Sequence, residues 1–265
     1  MSEIIAVVNQ KGGVGKTTTA INVAACLAAA GHRTLLIDAD SQGNSSSGLG
    51  ISKQNLKENF YHFLMHGLPW SQVIMEGPLP DLYLMPANRD LLPVNHELRA
   101  TANWETHLKK LLEEKLPAGE FNFVIIDSPP NLDTLSINIM AAANRLLIPT
   151  LPEYLSLEGL ADLVDTYRRI REKINPKLSI LGVLITKHLT THRLSREVTQ
   201  NLRENMGSLV FETVIPQNVR VAEAPSHCLP IIMYDPKSSG ALSYQAVTRE
   251  ILSRCGQKEH ELEIK

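Results

Sequence analysis

The stretch IIAVVNQKGGVGKTTT, residues 4–19, narrows the folds open to this chain more than any other. Four of the five residues in Ile4–Val8 are β-branched, and that run reads as a strand. A glycine-rich turn follows over Asn9–Gly15, and a helical pattern starts at Lys16. Strand, glycine loop and helix in direct succession aim consecutive backbone N–H groups at one point. That point lies at the positive end of the helix, which is how a chain cradles phosphate. Gly12, Gly13, Val14, Gly15 and Thr18 would line the cradle, Lys16 would reach the β- and γ-phosphates, and the Thr17 hydroxyl would ligate Mg²⁺. The spacing departs from the usual pattern, because Gln10 stands where a glycine is normal and Gly12 and Gly13 take its place. There is also a second lysine in the loop, Lys11, five residues ahead of Lys16. One phosphate chain does not need two.

The remaining sequence alternates short apolar runs with longer helical patterns. Strands are predicted at Ile4–Val8, Thr34–Ile37, Leu82–Met85, Phe123–Ile126, Arg145–Pro149, Ile180–Ile185 and Leu209–Ile215. Helices are predicted at Thr17–Ala30, Trp104–Lys115, Leu157–Lys173, Ser195–Asn205 and Gly240–Arg254, with stops at Gly31 and Asn175-Pro176. Strands apolar on both faces and separated by helices specify an α/β fold, a mostly parallel sheet covered on both sides. The Ser- and Gly-rich start of residues 44–80 reads as a switch loop followed by short helices. No compositional break marks a linker, so the expectation is one domain over residues 1–254 with a polar, frayed tail over 255–265.

Asp38 and Asp40 end a buried strand at its C-terminal edge, where α/β sheets place their ligands, and Asp127 ends another. Net charge is −2, so no global basic field points to nucleic acid. Three cysteines without pair spacing read as reduced thiols, and no apolar run reaches the ~18 residues needed to span a bilayer. A cytoplasmic protein is expected. Two His pairs four residues apart, His62/His66 and His188/His192, lack a third ligand and are read as no metal site.

KGGVGKTT is a deviant Walker A signature, and with it LLIDADSQGN (35–44), FVIIDSPP (123–130), LEGL (157–160) and VIPQNVRVAEAPSH (214–227) resemble the ParA/MinD group of P-loop ATPases, most closely the ParA/Soj branch. The resemblance covers nearly the whole chain. It implies a single-domain P-loop fold and an Mg²⁺-dependent ATPase that dimerises around ATP. In such a dimer Lys11 contacts the nucleotide of the partner, so that nucleotide state sets oligomeric state. It further implies that Asp40 orients the attacking water and that Asp38 and Asp127 support Mg²⁺. Pro216 and Asn218 would line the adenine.

Members of the ParA branch bind nonspecific DNA as ATP dimers and are released when a ParB-like activator stimulates hydrolysis, which implies nucleoid association in the ATP state. MinD-like members bind membranes through an amphipathic C-terminal helix. GQKEHELEIK, the end of this chain, has too few large apolar residues for that. Between Thr186 and Arg254, eight Lys and Arg stand against six Asp and Glu, a mild basic tilt. Lys187, Arg193, Arg196, Arg203, Arg220 and Arg249 are the resulting DNA-contact candidates. Related chromosomal proteins commonly read IPRNVR and SHGKPI, where this chain has Gln217 and Cys228-Leu229. Two other readings remain: a small-molecule P-loop ligase or kinase, and an ATP-dimer hub on a protein scaffold.

Overall fold

The computed structural model describes residues 2–257. In chain order the strands are β1 (Glu3–Val7), β2 (Thr34–Asp38), β3 (Met75–Glu76), β4 (Leu82–Met85), β5 (Phe123–Asp127), β6 (Arg145–Thr150) and β7 (Ser179–Ile185). They form one sheet in the order β3-β4-β2-β5-β1-β6-β7, parallel except for β3, which runs antiparallel to β4. The helices are α1 (Lys16–Ala29), α2 (Asn44–Gly48), α3 (Phe60–His66), α4 (Trp70–Val73), α5 (Val94–Arg99), α6 (His107–Lys115), α7 (Thr134–Ala142), α8 (Tyr154–Lys173), α9 (Arg193–Met206), α10 (Val219–Glu223), α11 (Ile231–Tyr234) and α12 (Ser239–Arg254).

Alternate residues of each central strand feed opposite cores, as the strand's period of two requires. Ala6, Leu35, Val124, Ile148 and Val183 pack beneath α3 and α5–α9. Ile5, Val7, Leu36, Ile125 and Leu147 pack beneath α1, α11 and α12. Because both faces are covered, β2 and β5 are buried along their whole length, and their carboxylates, Asp38 and Asp127, stand opposite one another in register at the C-terminal edge. α1 packs close on the sheet, with the small residues Ala20, Ala24, Ala25 and Ala28 among its buried positions, and Gly31 turns the chain out of it with φ +77°.

The seventh predicted strand, Leu209–Ile215, does not form; the short β3 takes the seventh place instead. Residues 207–209 are a 3₁₀ turn, and beyond them the segment touches β7 through two isolated bridges, Val183–Val210 and His188–Pro216. Between the bridges, the Glu212 and Thr213 amides donate to the Glu250 carboxylate of α12 at 3.0 and 2.8 Å instead of to the ladder. Gly182 makes room for this arrangement. A Cβ there would come within 2.5 Å of both the Phe211 ring and Arg254, whose guanidinium sits 4.1 Å over that ring. α7 was not predicted. Its sequence, TLSINIMAA, is buried on every side and so has no polar face to mark the helical period. α12 ends at Arg254, and residues 258–265 of the expected polar tail lie outside the described residues.

Candidate active site

The loop between β1 and α1 is held from below by Asn9, whose amide donates to the Pro149 carbonyl at 2.7 Å and accepts from the Lys11 N–H at 2.9 Å. Gly15 caps α1 in the left-handed region, φ +85°, with no side chain answering the first helical N–H groups. Any other residue there would add about 1–2 kcal/mol of strain. The unanswered N–H groups make the start of α1 an anion site. Lys16 lies along it, 8% exposed, donating to the Lys11 carbonyl at 3.3 Å. Burial lowers its pKa, opposed by the negative charges of Asp127 and Asp40. Its ammonium therefore stands between the loop and the carboxylates, where phosphate belongs.

Asp38 accepts from the Ser46 N–H and hydroxyl at 2.8 and 2.7 Å and from the Asp40 N–H at 3.2 Å. Asp127 accepts from the Ser45 hydroxyl at 2.8 Å, while its Oδ1 is buried with no hydrogen-bond partner among the described residues. Burial, then the neighbouring Asp127 charge, push the Asp38 carboxyl up to about 7. Burial pushes Asp127 up to about 6, against the pull of the Ser45 and Thr17 hydroxyls. The unpartnered Asp127 Oδ1, and two buried acids whose charge is poorly answered, fit a divalent cation. No cage of three or more His, Cys, Asp or Glu exists among the described residues. Mg²⁺ takes few protein carboxylates and fills the rest of its shell with water and phosphate oxygens. Asp40 is only half-buried and its Oδ1 accepts from the Gln42 N–H at 2.9 Å, leaving the second oxygen available to a water.

Lys11 is bound within its own chain. Its ammonium lies 2.8 Å from Glu153 and 3.3 Å from the Ser156 hydroxyl, both at the start of α8. Gln10 follows the same route, donating to the Gly159 carbonyl at 3.2 Å and to Asp162 at 3.1 Å. The residue that breaks the glycine spacing thus ties the loop to α8. Beside Gly15 and Thr18 a cavity of about 380 Å³ opens, lined by Lys187, Pro216, Asn218 and Tyr244. Asn218 reaches it with a committed side chain: its oxygen caps α10 through the Arg220 and Val221 N–H groups, and its nitrogen donates to Ser239 at 2.8 Å.

The six basic residues singled out for DNA are spread over three helices and the segment after β7. Arg193, Arg196 and Arg203 lie on α9, Arg220 on α10 and Arg249 on α12. Arg193 pairs with Glu197 at 2.6 Å and Arg220 with Glu223 at 3.0 Å; Lys187 donates to the Gly13 carbonyl at 2.8 Å. Sequence reasoning missed Ser45, Ser46, Glu153 and Ser156. The serines were hidden in a run that looked like loop, and Glu153 precedes the LEGL motif by only a few residues.

A phosphate loop, a paired carboxylate edge and a base-sized cavity on a parallel sheet define a P-loop Mg²⁺-ATPase. A family model described as an AAA domain matches residues 2–180. The chain is 43% identical to the chromosome partitioning protein ParA of Caulobacter vibrioides, over 95% of this chain and 94% of that one. It is likewise 43% identical to the chromosome-partitioning ATPase Soj of Treponema pallidum, over 97% and 100%. Among solved structures, cobyrinic acid a,c-diamide synthase from Mycobacterium smegmatis, with bound ATP analogue and magnesium, superposes with TM-score 0.83 at 30% identity, covering 98% of both chains. The chain belongs to the ParA/Soj family of chromosome-partitioning ATPases.

Proposed function

We propose that this ATPase is a dimerising switch whose ATP form binds nonspecific DNA and whose hydrolysis, stimulated by a ParB-like activator, releases it. The observation that carries the reading is the Lys11–Glu153 pair. Its side chains are 31% and 54% exposed, and pairs this accessible contribute only about 0–1 kcal/mol. Lys11 can leave Glu153 for the γ-phosphate of a nucleotide held by a second copy. Lys16 and the start of α1 would hold the ATP phosphates, and Thr17, Asp38 and Asp127 would hold Mg²⁺, which would supply positive charge to the phosphates. Asp40 orients the water. Loss of the γ-phosphate leaves the partner's lysine without its anion, and the pair separates. DNA phosphates would be met by Arg193, Arg196, Arg203, Arg220 and Arg249, duplicated by the two-fold axis. Cytoplasmic and nucleoid placement follows from that binding; no helix among the described residues is long and apolar enough to cross a membrane.

The test is DNA binding by the Asp40→Ala protein with ATP or ADP across a salt series. ATP-dependent, sequence-independent binding that weakens steeply with salt supports the reading. An ATP dimer indifferent to DNA at low salt contradicts it and favours a protein scaffold. The likeness to the M. smegmatis synthase keeps one other chemistry in view. Release of ADP that depended on a small-molecule acceptor would identify a ligase instead.

A further inference from the structure

Lys187 is one of four described non-glycine residues in the left-handed region, with φ +51°. Asn103 and Cys228 are helix caps and Asp81 a turn residue, but Lys187 lies two residues past the end of β7. A lysine has no short polar group with which to offset that conformation locally, so something at a distance holds it. Its ammonium donates to the Gly13 carbonyl at 2.8 Å, 174 residues away in sequence. The preceding residue, Thr186, is buried and donates to the Val14 carbonyl, also at 2.8 Å. The end of β7 therefore grips two successive carbonyls of the phosphate loop, one from the interior and one from the surface.

Peptide planarity gives this grip a direction. In a trans peptide the C=O and the following N–H point opposite ways. Fixing the Gly13 and Val14 carbonyls toward β7 turns the Val14 and Gly15 N–H groups away from it, into the cradle. Lys187 also lines the cavity beside Gly15 and Thr18 that Pro216 and Asn218 line, so it borders the proposed nucleotide site. We propose that Lys187 is a positioning residue for ATP, holding the phosphate loop in its binding shape, and that its place is the nucleotide site rather than a nucleic-acid surface. The left-handed backbone is what bends the side chain back over the loop.

Three variants separate the ammonium from the backbone: Lys187→Met removes the charge and keeps the strain, Lys187→Gly removes both, and Lys187→Arg keeps the charge. Mg-ATP binding is titrated calorimetrically without nucleic acid, alongside thermal melting and steady-state hydrolysis. The expected result is an about tenfold weaker Kd and higher KM for both Met and Gly, with kcat little changed and Arg largely restored. Lys187→Gly should melt above Lys187→Met while binding no better. If Lys187→Gly binds ATP like the parent protein, or if affinity follows melting temperature across the three, the residue is only a turn and the proposal fails.

Discussion

Asp38 and Asp127 face each other across β2 and β5 with no exposed surface, whereas Lys11 and Glu153 meet at 2.8 Å on the rim with side chains 31% and 54% exposed. Both pairs belong to one nucleotide site. The buried acids cannot rearrange cheaply, because each is held by serine donors and by its strand, so their unmet charge waits for a cation. The rim pair is weakly held and can exchange partners. A fixed element that binds metal and a loose element that reports the γ-phosphate are the two parts a switch needs.

The comparison can be broken first at its shared anchor. Lys16→Ala removes the cation of the phosphate loop, and ATP affinity measured by calorimetry should fall about 100-fold or more; undiminished affinity would remove Lys16 from the cradle. Next comes the buried pair. Asp127→Asn should weaken Mg²⁺ dependence of nucleotide binding about tenfold, and a Mg²⁺ titration indistinguishable from the parent would separate Asp127 from the metal.

The same pair sets a pH dependence. Both folded-state values, about 7 and about 6, lie above the ordinary 3.8. Between pH ~4 and ~7 the nucleotide-free fold thus holds protons that the unfolded chain has released, and its stability falls as pH rises through that window. Asp38→Asn should flatten the fall in melting temperature; an unchanged slope would show that the two acids do not govern it.

At the rim the effects are opposite in sign for the two partners. Lys11→Ala should leave ATP affinity intact and abolish ATP-dependent dimers. Glu153→Ala frees the lysine in each subunit and should strengthen dimerisation by up to about 30-fold, the ceiling set by two exposed pairs. Smallest of all, Arg193→Ala should lower the salt slope of DNA binding by about one and its affinity only modestly.

Much of this site was legible because its central part is backbone chemistry. Glycines, a following lysine and hydroxyl, and strand-end aspartates have few other uses in that order, and Gly12–Thr18, Asp38 and Asp127 converge as their spacing implies. Contacts across long sequence separations were not legible. Nothing in the spacing of Gln10 or Lys11 indicates that α8, some 140 residues later, receives both. The failed strand at 209–215 has the same cause: its apolar pattern suits a ladder, but Glu250 takes two of its amides. The ion pairs were not legible either: composition counts charge and cannot see that Arg193 pairs with Glu197 and Arg220 with Glu223.

Sedimentation velocity of the Asp40→Ala protein, with and without Lys11→Ala, in ATP, ADP or no nucleotide, tests the switch most directly. Dimers should form only with ATP and only when Lys11 is present. Equal dimerisation by the Lys11→Ala protein, or dimers in ADP, would contradict the transfer of Lys11 from Glu153 to a partner's nucleotide.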